Sequence, residues 1–66
     1  MPMEIKDINE FMEKLKYARK VVVVNRLPKY IKIKARTKRR LYTIKLYSEE
    51  EAQKILKEVK VEIEEY

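Results

Sequence analysis

Apolar side chains recur at Ile8, Phe11, Met12, Leu15 and Ala18, the spacing that lays one stripe along a helix. Asp7 stands ahead of the stripe as an N-cap residue, with Glu10 three positions on, as in a capping box. The pattern predicts a helix from Ile8 to Arg19. Its acids fall in the first turns and Lys14, Lys16, Arg19 and Lys20 at its end, which complements the helix dipole. Val21 to Val24 follows as four β-branched residues, favouring a strand with both faces at least partly covered. Asn25 to Lys29 breaks the run, with Pro28 as its turn residue.

The clearest alternation comes next. Ile31, Ile33, Ala35 and Thr37 share one parity, while Tyr30, Lys32, Lys34, Arg36 and Lys38 share the other. In a strand those parities face opposite ways, giving one apolar face and one row of positive charge. Lys38-Arg39-Arg40 is the expected turn, and the absence of glycine argues against a two-residue primed turn. Leu41 to Tyr47 returns with Tyr42, Ile44 and Leu46 inward. Ser48 then opens a second helix, with Glu51 completing a capping box and Ala52, Ile55, Leu56 and Val59 forming its stripe. Val59, Val61 and Ile63 alternate with charged residues as a last strand. The predicted fold is α+β: a two-layer α/β sandwich in the order α-β-β-β-α-β, a mainly antiparallel sheet with two helices on one face. With no repeat or linker, residues 1–66 form a single domain.

Composition narrows the chemistry. The chain has no Cys, His or Gly. That removes disulfides, the usual zinc spacings, the neutral-pH proton shuttle and the phosphate-cradling glycine loop. Glu49, Glu50 and Glu51 sit where a helix amino terminus favours acids, and Glu62, Glu64 and Glu65 read as a solvated strand and tail. No enzyme, metal site, cofactor or small-molecule substrate is expected. The longest uninterrupted aliphatic run is Val21 to Val24, and the acidic start Met1-Pro2-Met3-Glu4 lacks the form of a secretory leader. The expected location is cytoplasmic, with no membrane partner. Abundant Lys and Glu beside a single Gln resembles hyperthermophile composition. A domain this small has little core of its own, so a binding partner is its expected support.

The net charge of +6 is unevenly distributed. Residues 1–13 carry one Lys against four acids, and residues 49–66 three Lys against seven Glu. Residues 14–48 carry thirteen Lys and Arg and no acid at all. A field this concentrated collects polyanions, and on nucleic acid it does so by counterion release. The candidate phosphate contacts are Arg19, Lys20, Lys32, Lys34, Arg36, Lys38, Arg39 and Arg40. Tyr30, on the lysine face, is the candidate for base stacking; Tyr42 has core parity, and Tyr17, Tyr47 and Tyr66 are uninformative. The competing bland reading is a solvated strand face whose lysines block edge pairing.

The residues together resemble a known family. Met1-Pro2 and Glu4-Ile5-Lys6-Asp7-Ile8 leading into Phe11 are similar to the amino end of the L thirty-eight e family of large-subunit ribosomal proteins. Lys32-Ile33-Lys34-Ala35-Arg36, Leu41-Tyr42-Thr43 and Glu51-Ala52-Gln53-Lys54 continue the likeness in the same order. The chain departs from the family in Lys57-Glu58-Val59-Lys60, where members carry Pro and Gly before the last strand. Its Lys38-Arg39-Arg40 turn is more basic than usual, which fits an archaeal member, as the composition fits a thermophile. The resemblance implies a non-catalytic constituent of the large ribosomal subunit, with ribosomal RNA and neighbouring ribosomal proteins as partners. Two alternatives are a small chromatin-type DNA-binding protein without sequence preference and an interaction module for an acidic protein.

Overall fold

The computed structural model describes residues 2–66. Strand β1 (Pro2–Ile5) leads into helix α1 (Ile8–Leu15); strands β2 (Lys20–Arg26), β3 (Tyr30–Arg36) and β4 (Leu41–Leu46) follow, then helix α2 (Glu49–Lys57) and strand β5 (Glu62–Glu65). All five strands form one sheet in the order β1-β4-β3-β2-β5. The central pairs, β2 with β3 and β3 with β4, are antiparallel, whereas β1 on β4 and β5 on β2 are parallel. Strand β3 therefore runs against the other four. Each helix belongs to a crossover, β1-α1-β2 and β4-α2-β5, and each crossover spans two intervening strands.

The α+β class holds, with both helices contributing to one core on one side of the sheet. Phe11 of α1 and Ala52 and Ile55 of α2 bury against Ile5, Val21, Val23, Ile31, Ile33, Ala35, Ile44 and Leu46. The order differs from the expected one by β1, and the sheet is mixed, its antiparallel pairs confined to the centre. Strand β1 escaped the sequence reading because four residues opening on proline carry little periodicity. Proline is tolerated at the start of an edge strand, and this strand exists through its pairing with distant β4.

Helix α1 is shorter than expected. After Leu15 the chain tightens into three-residue hydrogen-bonded turns, Lys16 N–H to Glu13 O, Tyr17 N–H to Lys14 O and Ala18 N–H to Leu15 O, a common helix ending. The turns bring Ala18 into the core and release Lys20 to begin β2. Lys20 is thus a strand residue and not a helix-end cation. Val21 and Val23 are buried, while Val22 and Val24 are half-exposed on the face away from the helices; only one side of this strand is covered. Helix α2 stops at Lys57, and Val59 and Val61 pack against the core ahead of β5.

Helix capping also departs from expectation. Asp7 accepts a hydrogen bond from the Asn9 N–H at 3.0 Å, and Glu10 contributes as an acid in the first turn. Ser48 makes no side-chain cap bond. The three glutamates of the first turn of α2 supply the favourable electrostatics there instead. The β3–β4 connection is pinned by Thr37. Its Oγ1 accepts from the Arg40 N–H at 3.0 Å and donates to the Arg40 carbonyl at 2.9 Å, and its own N–H reaches the same carbonyl. No described residue has positive φ, and the Leu27–Pro28 peptide in the β2–β3 loop is cis.

Candidate nucleic-acid interface

Strand alternation and pairing register decide which cations meet. With Ile31, Ile33 and Ala35 buried, Tyr30, Lys32, Lys34 and Arg36 face the side of the sheet without helices. Register adds their neighbours. Lys32 stands opposite Lys45 of β4 and Val24 of β2; Lys34 stands between Thr43 and Val22; Arg36 stands between Leu41 and Lys20. The open face is therefore a cationic strip on a partly apolar floor. Like charges placed directly across a strand pair are destabilising, yet this face holds Lys32 opposite Lys45 and Arg36 opposite Lys20. Among the described residues, no carboxylate lies within ion-pair distance of Lys32, Lys34 or Arg36.

The strip is bordered by acids at both edges: Glu4 of β1, opposite Thr43, lines a hollow with Lys32 and Lys45, and Glu62 and Glu64 of β5 stand opposite Lys20 and Val22. Lys20 pairs with Glu64 of β5, and the Tyr66 hydroxyl donates to the same carboxylate. The hydrogen bond from Lys20, followed by that from Tyr66, holds the Glu64 carboxyl below its ordinary value. The bond to Glu64, aided by its charge, raises the Lys20 ammonium. The bond to Glu64 also raises the Tyr66 phenol. Lys20 is thus shared between the cationic strip and the last strand.

The eight cations singled out in the sequence fall into two groups. Lys20, Lys32, Lys34 and Arg36 lie on the open face. Arg19, Lys38 and Arg39 line a cleft of 460 Å³ at the β3–β4 end of the molecule, together with Lys14, Tyr17, Thr37 and Tyr42. Arg40 is exposed beside this tip, its backbone held by Thr37. Tyr30 is half-buried on the open face, its ring under the Lys45 ammonium at 4.8 Å and within 6.0 Å of that of Lys32. It supports the lysines by cation–π attraction.

Lys14, Tyr17 and Lys45 were absent from the sequence candidates. Lys45 could have been found from its parity with Leu41 and Thr43, opposite to that of the inward residues of its strand. Lys14 and Tyr17 carried no such signal: the position of Tyr17 depends on how the helix ends, and that of Lys14 on how α1 packs beside β4. No helix among the described residues is long and apolar enough to cross a membrane.

A two-layer α+β domain with a strip of cations along its open sheet face has the form of a nucleic-acid-binding structural protein. Comparison with known proteins makes the class specific. The Ribosomal L38e protein family matches residues 1–65. The large ribosomal subunit protein eL38 of Aeropyrum pernix is 45% identical over 60 residues, covering 91% of this chain and 87% of that protein. The chain belongs to the ribosomal L38e family, whose members are structural components of the ribosome and not enzymes.

Proposed function

We propose that this protein is built into the large ribosomal subunit and contacts ribosomal RNA through its cationic strip and the β3–β4 tip, with neighbouring ribosomal proteins alongside. The observation that carries the reading is the placement of Lys32 opposite Lys45 and of Arg36 opposite Lys20 on one open face. Such repulsion is relieved when phosphates come between the cations. Lys32, Lys34, Arg36 and Lys45 supply phosphate contacts on the open face, with Lys20 joining from beside Glu64. Arg19, Lys38, Arg39 and Arg40 extend the contact around the tip. The acidic first turn of α2 lies on the helix side, away from the strip, while Glu62 and Glu64 of β5 mark the strip's edge, where the RNA contact ends or a basic neighbour begins. The chromatin-type alternative has no observation in its favour.

Salt dependence tests the assignment. Affinity for ribosomal RNA should fall linearly in log–log with salt, by roughly 0.7–0.9 per phosphate engaged. The double variant Lys34→Glu, Arg36→Glu should lower both affinity and slope while keeping its circular dichroism. A slope unchanged by the two substitutions would place the contacts elsewhere. In extracts, the protein should sediment with large subunits and not with DNA.

A further inference from the structure

The cleft at the β3–β4 end has features that the open face lacks. Four cations line it, Lys14, Arg19, Lys38 and Arg39, and no carboxylate does. Other clefts on this molecule mix signs. The one between α1 and the segment before β5 sets Glu13 and Glu58 against Lys16 and Lys60, and the one along α2 sets Glu50 and Glu51 against Lys54 and Lys57. The end cleft also contains two tyrosines with different surroundings. Tyr42 is half-buried, with the Lys14 ammonium 5.5 Å from its ring centre. Tyr17 is 71% exposed and makes no ring contact among the described residues.

The position of the cleft is set by three backbone devices. The turns after Leu15 fix Tyr17, a main-chain bond from Arg19 N–H to Arg36 O at 2.8 Å ties Arg19 to the end of β3, and Thr37 fixes the loop that carries Lys38 and Arg39. The backbone of the site is therefore held before any ligand arrives, and the ordering cost of binding falls on the exposed side chains alone. Tyr42 has inward parity, so the cleft opens on the helix side of the sheet, around the tip from the cationic strip.

We propose that this cleft is a second RNA site that takes an unpaired nucleotide, its base stacked on Tyr17 and its flanking phosphates held by Arg19, Lys38 and Arg39. The proposal deepens the ribosomal RNA reading and rests on it. A free aromatic face beside several cations suits single-stranded RNA, since unstacked bases offer π-faces that a duplex hides. The strip and the cleft lie on opposite sides of the sheet with Arg36 and the tip between them. One protein then contacts a helical RNA segment through the strip and a neighbouring unpaired nucleotide through the cleft.

Two probes separate the sites: a fluorescein-labelled oligouridylate and a labelled blunt-ended RNA duplex, each titrated with the full chain by anisotropy. Tyr17→Ala should weaken oligouridylate binding by roughly tenfold, leave its salt slope unchanged and leave duplex binding intact. Tyr17→Phe should restore the oligouridylate affinity, because stacking needs the ring and not the hydroxyl. Lys38→Gln with Arg39→Gln should reduce the oligouridylate salt slope by about two phosphates' worth. The exposure of Tyr17 keeps these variants folded, as their circular dichroism will show. Oligouridylate binding that survives Tyr17→Ala yet is lost in Lys34→Glu, Arg36→Glu would overturn the cleft while leaving the ribosomal RNA reading intact. Absence of binding to both probes at low salt would sink both.

Discussion

Lys32 and Lys45 stand directly opposite each other across the β3–β4 pair, and both ammonium groups approach the ring of Tyr30. The aromatic face offsets part of a repulsion that the sheet would otherwise carry alone. Glu4 of β1 lines the same hollow as the two lysines but forms no ion pair with either, so much of the repulsion remains. Lys32→Glu should therefore stabilise the isolated domain, by about 0.2–1 kcal/mol, while weakening RNA binding. Urea unfolding and RNA titration of the same variant check the two halves. A variant less stable than the parent would show that the pair is not under strain in the free protein.

Val22 and Val23 are sequence neighbours with opposite surroundings, since Val23 is buried under the helices and Val22 lies beside Lys34 on the open face. Val22→Lys should fold and retain RNA affinity. Val23→Lys would bury an unpaired charge in a small core and should not fold. Circular dichroism melting of the two variants distinguishes the faces directly.

The two helix starts should respond differently to the loss of their cap residues. Asp7→Ala removes a hydrogen bond to Asn9 N–H and should cost about 1 kcal/mol. Ser48→Ala removes no side-chain cap bond and should stay within about 0.5 kcal/mol of the parent. Denaturant midpoints at constant m-value give both numbers.

The Lys20–Glu64–Tyr66 cluster gives the last strand a defined pH range. The depressed Glu64 carboxyl supports β5 above the ordinary carboxylate value, and that support is lost as pH falls through its lowered value. The raised Lys20 and Tyr66 contribute below their ordinary values, and that support is lost as pH rises through the raised ones. The Tyr66 N–H bonds to the Val23 carbonyl at 2.8 Å, so its amide-exchange protection is the readout. Corrected for intrinsic exchange, protection should be flat near neutrality and fall on both sides. In Glu64→Gln both pH-dependent limbs should largely disappear.

What could be read from the chain was whatever depended on short-range periodicity. The Tyr30–Arg36 alternation fixed which residues faced inward, and register then brought Lys32, Lys34 and Arg36 together as expected. Strand β1 was invisible because Pro2–Ile5 takes its conformation from β4, far along the chain. The early end of α1 was missed because Lys16 and Tyr17 are compatible with a helix, and burial of Ala18 decides the turn. That difference concealed part of the cleft, since Tyr17 lies in the turns that follow the end of the helix.

A chain with no glycine, in which no described residue adopts positive φ, also differs in its denatured ensemble. Every position carries a Cβ, so the disordered polypeptide has fewer conformations available than a glycine-bearing chain of equal length. Melting therefore releases less entropy. That restriction favours the folded state, a reserve that a glycine at an exposed loop position such as Lys29 would drain without disturbing a core contact.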